Sequence, residues 1–234
     1  KIMHPVFFEM SVPEFLQGLL PQTLTIFGYG FMIATGAAAA FLFMSWQARK
    51  HFELPVHKAA DLTIILLVAG FVGGKLLFYL EDPGYYLADP ARMLQNPGKG
   101  FVFYGSLLFC IPAMLWYLRA QKLPVLPMLD IMAVTTCIVH GFGRLGCFMA
   151  GCCYGLPHQG FPSVTFTHEA SLAKPLGEAL HPTQLYSISM IASLGLLLVY
   201  LKDRKQFHGQ LFIIYVALYA VGRSIIEMFR GDVQ

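Results

Sequence analysis

Residues 125–149 read VLPMLDIMAVTTCIVHGFGRLGCFM, an apolar stretch in which Asp130 and Arg144 are the only Asp, Glu, Lys or Arg residues. An α-helix needs about 20 predominantly apolar residues to cross the hydrocarbon core of a bilayer. Five further stretches are long and apolar enough to do so, and they cover residues 24–46, 60–80, 101–118, 184–201 and 209–229. The sequence therefore predicts an all-α polytopic membrane protein with about six transmembrane helices.

The overall composition agrees with this fold. Of the 234 residues, 56% are hydrophobic and 12% are charged, whereas soluble domains carry about 25% charged residues. The net charge of +3 is small and no dense basic run occurs, so we expect no nucleic-acid partner. No motif in the chain predicts a cofactor.

The distribution of positive charge predicts how the helices are oriented. Lys and Arg are concentrated in residues 47–59, 119–123 and 202–208, whereas residues 81–100 and 150–183 are poorer in them. Because cytoplasmic loops carry an excess of Lys and Arg, we predict that the first set is cytoplasmic. The N-terminus and the loop 150–183 then face outward. Asp61 and Asp130 fall at the cytoplasmic starts of spans two and four, where we expect them to cap their helices.

This orientation divides the chain into four parts. We predict an outer interfacial N-terminal segment over residues 1–23, helices one to four over 24–149, an outer arm over 150–183, and helices five and six over 184–234. Apolar side chains of the first segment are suited to lie on a membrane surface; they are Phe7, Phe8, Met10, Phe15, Leu16, Leu19 and Leu20. The arm contains Phe161, Val164 and Phe166. We expect it to fold over the site, because long ordered loops are often functional.

Polar side chains inside membrane spans are costly and usually functional. In this chain they lie toward the predicted outer ends of their helices, and the set comprises Tyr29, Lys75, Tyr104, Arg144, His181, Gln184, Arg223, Glu227 and Arg230. Six spans therefore bring polar groups to a common depth. The set contains three Arg and one Lys against a single acid, and this surplus of positive charge predicts an anionic ligand, for which a lipid phosphate is the natural candidate.

Helical spacing groups these residues further. Arg223 and Glu227 are four residues apart and Arg230 follows three residues later, so the three share one helix face. His140, Arg144 and Cys147 repeat this spacing on span four. Two structural alternatives stay open, since Arg230 can reach the membrane interface with its long side chain and Arg223 with Glu227 can form an ion pair between helices. The position of Arg144, flanked by glycines, favours a functional role.

Glycines and cysteines surround this site. The stretches GFVGGK at 70–75 and GFGRLG at 141–146 are typical of closely packed membrane helices. Cys147, Cys152 and Cys153 match no common zinc-ligand spacing, so no metal is predicted. Two other possibilities are a strained vicinal disulfide between Cys152 and Cys153 and a nucleophilic thiol whose pKa is lowered by nearby Arg. Cys110 and Cys137 are expected to be ordinary buried residues.

Several of these segments resemble those of a known family. The segment GRLGCFMAGCCYG at 143–155, followed by HPTQLY at 181–186, resembles the signature region of bacterial prolipoprotein diacylglyceryl transferases. The segments Tyr29-Gly30, Gly73–Lys75, Phe103–Gly105 and RSIIEMFR at 223–230 match the family in the same order. The resemblance covers nearly the whole chain and marks it as a divergent member.

The resemblance implies a transferase of the bacterial inner membrane, with its N-terminus and active site on the periplasmic side. Such an enzyme moves the diacylglyceryl group of phosphatidylglycerol to the lipobox cysteine thiol of a preprolipoprotein and releases glycerol phosphate. Arg144 and Arg223 would hold the lipid phosphate, Glu227 would orient the arginines, Tyr29 would contact the head group, and Gly155 would shape the pocket. The remaining residues predicted to bind substrate are Lys75, His140, Cys147, Gln184 and Arg230.

Three positions depart from the family pattern. The family usually has His at Tyr104, Asn at Cys147 and Glu at Cys152. If that His is the base for the acceptor thiol, then Tyr104, His140 or His181 would have to serve here, and a tyrosine has an ordinary pKa of about 10. Rival functions are a phosphatidylglycerol-dependent transferase with a sugar or lipid acceptor, a non-catalytic phospholipid-binding protein, and a thiol oxidoreductase.

Overall fold

The computed structural model describes residues 5–11, 23–95 and 100–231. The chain begins with strands β1 (Val6–Ser11) and β2 (Thr23–Phe27), followed by helices α1 (Gly28–Phe52), α2 (Val56–Glu81), α3 (Pro83–Ala88), α4 (Arg92–Gln95), α5 (Phe103–Ala120) and α6 (Val125–Ala150). Strands β3 (Val164–Thr165) and β4 (Ala179–Leu180) precede helices α7 (Thr183–Leu201) and α8 (Gln210–Glu227).

Six of the described helices, α1, α2, α5, α6, α7 and α8, are long and apolar enough to cross a membrane. They expose many large hydrophobic side chains; Leu108 is 65% exposed and Leu196 is 72% exposed. Such surfaces are unfavourable in water but face lipid in a bilayer, where a helix satisfies its own backbone hydrogen bonds. The predicted all-α polytopic membrane protein is confirmed.

The ends of the predicted spans differ from the observed helices. Residues 24–27 belong to β2 rather than to the first span, and α1 continues to Phe52. Residues 47–52 are therefore helical, so Arg49 and Lys50 lie on the last turn of α1 and not in a loop. Since α2 begins at Val56, Asp61 lies within the helix, and its predicted capping role is wrong; Pro55 occupies the N-cap position.

The chain divides into a first unit, Lys1–Phe43 with Leu129–Gln234, and a second unit, Met44–Met128. In the second unit α2 and α5 cross where Gly73 and Gly105 face each other, and a Cβ on Gly105 would collide with the carbonyl oxygen of Gly73. The Ser106 hydroxyl donates to the carbonyl of Gly70 over 2.7 Å at the same crossing. The predicted close packing at the first glycine stretch is thus confirmed.

The core of the first unit lies between α6, α7 and α8. It is formed by Ala133, Val134, Cys137, Ile191, Leu194, Leu198, Leu211 and Tyr215. Cys137 is buried among these apolar groups, as expected for a small packing residue. This core holds together the three helices that carry most of the predicted site.

Asp130 connects two of these helices in a way that the sequence did not predict. Since α6 begins five residues earlier, Asp130 does not cap its own helix. Its buried carboxylate accepts hydrogen bonds from the backbone N–H groups of Gly209 and Leu211 at 2.9 Å and Phe212 at 3.3 Å. The Lys205 ammonium donates to the same carboxylate over 2.7 Å. The expected capping role is therefore corrected, because Asp130 satisfies the first N–H groups of α8.

Two segments outside the long helices contain β-structure. Strands β1 and β2 pair antiparallel, and Phe7, Phe8 and Met10 of the predicted interfacial segment are exposed. The other apolar residues predicted for that surface, Phe15, Leu16, Leu19 and Leu20, lie outside the described residues. Between α6 and α7, strands β3 and β4 pair beside a small core of Phe166, Ala173 and Leu180. The arm segment thus has a core of its own.

Candidate active site

The site is built around the end of α6 and the chain reversal that follows it, and we call residues 147–153 the thiol turn. The backbone N–H of Cys152 donates to the carbonyl of Cys147 over 3.1 Å, which closes the turn. Gly151 and Cys153 have φ values of 75° and 61°. The left-handed region is uncommon for a residue with a side chain, and here it reverses the chain directly after the helix.

Two side chains at the start of α7 fix this turn. The Thr183 hydroxyl donates to the carbonyl of Cys153 over 2.6 Å, and the Gln184 amide donates to the carbonyl of Cys152 over 2.7 Å. Thr183 is 1% exposed and Gln184 is 0% exposed, so water does not compete for these bonds. Gln184 thus stabilises the turn through its hydrogen bond to Cys152. Its contact with substrate stays a prediction.

The chain just after the thiol turn pairs with the chain just after α8. Leu156 N–H donates to the carbonyl of Phe229 over 2.9 Å, and Gly155 N–H donates to the carbonyl of His181 over 2.9 Å. A Cβ on Gly155 would lie 2.5 Å from both the Cβ of His181 and the carbonyl oxygen of Phe229. Only glycine permits this approach, and the approach places Arg230 opposite Gly155.

Four charged residues form a group that we call the guanidinium cluster: Arg144, Arg223, Glu227 and Arg230. The Glu227 carboxylate forms an ion pair with Arg223 and lies 3.7 Å from the guanidinium of Arg230. Arg223 and Glu227 share a helix face as their spacing predicted, whereas α8 ends at Glu227 and Arg230 lies just beyond the helix. Arg144 on α6 is close enough to Arg230 to repel it electrostatically. The cluster carries three positive charges and one negative charge.

The thiol turn brings three sulfur atoms together beside this cluster. The Sγ atoms of Cys147, Cys152 and Cys153 all lie within 4.8 Å of one another. Hydrogen bonds from the other two thiols lower the pKa of Cys153, and the positive charges of Arg144 and Arg230 lower it further. The same hydrogen bonding raises the pKa of Cys152. Of the two cysteines beyond the end of α6, Cys153 therefore ionises more readily than Cys152.

The start of α1 lies at the same place. The phenol of Tyr29 interacts electrostatically with all three cysteines and with Arg144. A Cβ on Gly146 would lie 3.0 Å from the Tyr29 ring, so the absence of a side chain there lets α1 approach α6 closely. The structure thus brings together Tyr29, Arg144, Cys147 and Arg230, which the sequence predicted to share a site.

The two predicted histidines lie in different surroundings. The His140 Nδ1 atom is 3.3 Å from the Tyr215 hydroxyl, one helical turn before Arg144. His181 stacks on His158 with 3.9 Å between ring centroids, and its Nδ1 lies 2.9 Å from the Tyr186 hydroxyl. Burial and the neighbouring His158 lower the pKa of His181. His181 is therefore neutral near pH 7.

Lys75 and Tyr104 lie in the second unit. Lys75 is 8% exposed, and its ammonium lies 5.9 Å from the ring centroids of Phe78 and Tyr79. Tyr104 is 75% exposed at the start of α5. Their roles in substrate binding and catalysis stay predictions.

Sequence reasoning missed Thr183 as part of the site. Thr183 lies inside the HPTQLY segment, which was the available signal, but an uncharged hydroxyl gave no reason to single it out. The proximity of the three thiols depends on the left-handed turn and so is not visible in their spacing.

Comparison with known proteins identifies the family. The model of the prolipoprotein diacylglyceryl transferase family matches residues 19–234. A phosphatidylglycerol–prolipoprotein diacylglyceryl transferase of Clostridium tetani is 35% identical over 98% of this chain and 86% of its own length. A second such protein, from Clostridium perfringens, is 31% identical over 89% of this chain and 80% of its own length, and one from Geobacter sulfurreducens is 29% identical over 97% and 82%. The chain therefore belongs to the prolipoprotein diacylglyceryl transferase family.

Proposed function

We propose that this protein transfers the diacylglyceryl group of phosphatidylglycerol to a prolipoprotein, the activity that the names of its relatives give for those proteins. The guanidinium cluster is the observation that carries this proposal. It lies at the ends of helices whose surfaces are apolar. A surplus of positive charge beside an apolar surface suits a ligand that is an anion with hydrocarbon tails, as a phospholipid is.

The charge of the cluster fits the leaving group. Phosphatidylglycerol carries one negative charge, and cleavage of the bond between the glyceryl carbon and the phosphate oxygen places a second negative charge on the departing glycerol phosphate. The cluster carries a formal surplus of two positive charges. It therefore binds the leaving group more strongly than the substrate, and a contact that strengthens in the transition state accelerates the chemical step.

Three residues of the cluster and the neighbouring Tyr29 have parts in this reaction. Arg144 and Arg223 bind phosphate oxygens, because the planar guanidinium donates two hydrogen bonds to such a group. Glu227 holds Arg223 through their ion pair. Tyr29 contacts the head group from the start of α1, where it interacts with Arg144.

The acceptor supplies the nucleophile. The sulfur of the lipobox cysteine attacks the glyceryl carbon, a thioether bond forms, and the electron pair of the broken C–O bond leaves with glycerol phosphate. The thiol must lose its proton for this step, since the thiolate is the nucleophile. The protein lies in a bacterial inner membrane, with its N-terminus, arm and site on the outer side; the charged loops support this orientation.

The experiment uses the full chain in detergent with phosphatidylglycerol and a synthetic lipobox peptide. Glycerol phosphate release is measured together with the mass of the peptide. We expect release that requires the peptide cysteine and a peptide that gains one diacylglyceryl group. A peptide with serine in place of that cysteine is the control. Absence of release from protein that still binds the lipid would overturn the proposal, and a labelled sugar or lipid product would assign a different acceptor.

A further inference from the structure

The three thiols of the thiol turn have the arrangement of a metal site. Their sulfur atoms lie within 4.8 Å of one another. Three sulfurs on a tetrahedral zinc ion, each at about 2.3 Å from the metal, are about 3.8 Å apart. If side-chain rotation shortens the sulfur-to-sulfur distances by about 1 Å, all three sulfurs can coordinate such an ion.

The backbone of the turn holds the sulfurs in this arrangement. Thr183 and Gln184 bond the carbonyls of Cys153 and Cys152 from a buried position. The amide of Cys152 is bonded to the carbonyl of Cys147. Hydrogen bonds that fix the groups around a metal ligand are the usual support of metal sites. The ligands are thus held in place by helices α6 and α7 rather than by a mobile loop.

We propose that Cys147, Cys152 and Cys153 bind a thiophilic d¹⁰ metal ion of the Zn²⁺ class, whose fourth position takes the thiol of the acceptor cysteine; this rests on the proposed function. Metal sites with three protein ligands keep the fourth position for water or substrate. A thiol that coordinates such a metal is deprotonated outright. The metal therefore generates the nucleophile that the transfer requires.

The reaction balances without any oxidant. The acceptor thiol binds the metal and releases its proton to solvent. Its sulfur then forms the bond to the glyceryl carbon, while the C–O bond breaks and its electron pair leaves with glycerol phosphate. The thioether product is a weak ligand and leaves the metal. Tyr29 and the guanidinium cluster lie beside the turn, where the leaving group must be held.

The first test measures metal binding without turnover. The full chain in detergent is reduced, treated with a chelator and titrated with Cd²⁺, and sulfur-to-metal charge-transfer absorption is recorded; competition gives the Zn²⁺ affinity. We expect one ion per chain and a loss of affinity of at least about 10–100-fold in Cys152→Ser and in Cys153→Ser, each assayed separately. Cys110→Ala, which removes a thiol on α5, is the matched control and should bind as the parent does.

The second test adds the lipobox peptide without lipid. An increase in charge-transfer absorption that requires the peptide cysteine supports the fourth ligand. The proposal is overturned if metal binding does not depend on Cys147, Cys152 and Cys153, or if protein isolated without reductant has a disulfide among them. It is also overturned if the absorption of the bound metal does not change when the peptide is added. Metal binding and peptide ligation without later glycerol phosphate release would leave this site intact and refute the proposed function alone.

Discussion

The two ends of α6 differ in how their charged side chains are balanced. Asp130, near the first end, is 2% exposed, and its carboxylate is matched by Lys205 and three backbone N–H groups of α8. Arg144, near the other end, belongs to a cluster in which three guanidinium groups meet one carboxylate. A buried charge is costly unless it is paired.

The difference indicates which end serves structure and which end serves function. At the Asp130 end the buried carboxylate has its partners inside the protein, so this end joins α6 to α8. At the Arg144 end the surplus is left for a ligand. Substitutions at the Asp130 end should therefore reduce stability, whereas substitutions at the Arg144 end should reduce activity.

The largest effect is expected for Arg144→Ala. Removing a donor that stabilises charge in the transition state costs about 10²–10³ in rate, so transfer to the lipobox peptide should fall by that factor while the protein stays folded. Arg144→Lys keeps the charge but loses the planar fork, and should recover only part of the rate. The rate of glycerol phosphate release measures both.

Arg204→Ala is the matched control for this prediction. Its guanidinium lies on the turn after α7 and donates to the carbonyl of Tyr200, and we expect the parent rate. If Arg144→Ala itself released glycerol phosphate at the rate of the parent protein, Arg144 would have a structural role. The two ends of α6 would then not divide into a structural end and a functional end.

Asp130→Asn tests the other end of the helix. Hydrogen bonds to a charged group contribute about 1.5–3 kcal/mol each, and partial exposure of Lys205 moderates the loss of the ion pair. We expect the free energy of unfolding in detergent to fall by about 2–3 kcal/mol, with little change in rate per folded molecule. Asp203→Asn is the control, because Asp203 is exposed on the turn between α7 and α8 that also carries Lys205. It should leave the unfolding temperature unchanged. A change in rate with unchanged stability would contradict the assignment.

Gly155→Ala should affect both properties at the Arg144 end. The added Cβ meets the backbone of Phe229 and the Cβ of His181, so the pairing that positions Arg230 must open. Overpacking costs about 1–3 kcal/mol, and we expect that loss in unfolding free energy together with a lower transfer rate. Gly141→Ala on α6 adds a Cβ with no atom within 4 Å and should change neither; equal behaviour of the two variants would refute the close-approach argument.

The sequence predicted those parts of the molecule that depend on local pattern. Apolar length predicted the six helices, and the periodicity of the helix predicted that Arg223 and Glu227 share a face. Both follow from short-range geometry that each segment carries in its own residues.

The parts that depend on distant contacts could not be predicted. Asp130 has its partners 75 to 82 residues away along the chain, and no pattern in α6 reveals them. The three thiols meet because Gly151 and Cys153 reverse the chain and because Thr183 and Gln184 hold that reversal. Ligand spacing along the chain therefore does not reveal that the turn brings the three sulfurs together.

The smallest expected effect is a pH dependence at the Arg144 end. Burial and His158 lower the pKa of His181 in the folded protein, whereas the unfolded chain has a His pKa of about 6.5. Below that pH the unfolded state binds more protons, so the stability due to neutral His181 is present above about pH 6.5 and is lost as the pH falls toward the lower folded-state pKa. The unfolding temperature should therefore decrease between pH about 7.5 and about 5.5.

His181→Gln should reduce this slope, because the group that must stay neutral against His158 and Tyr186 is then absent. His208→Gln, an exposed histidine on the turn before α8, should keep the slope of the parent. If both variants kept it, protonation of His181 would not oppose folding. In that case the contact between the arm and the end of α8 at Gly155 would depend on backbone pairing and not on the charge state of His181.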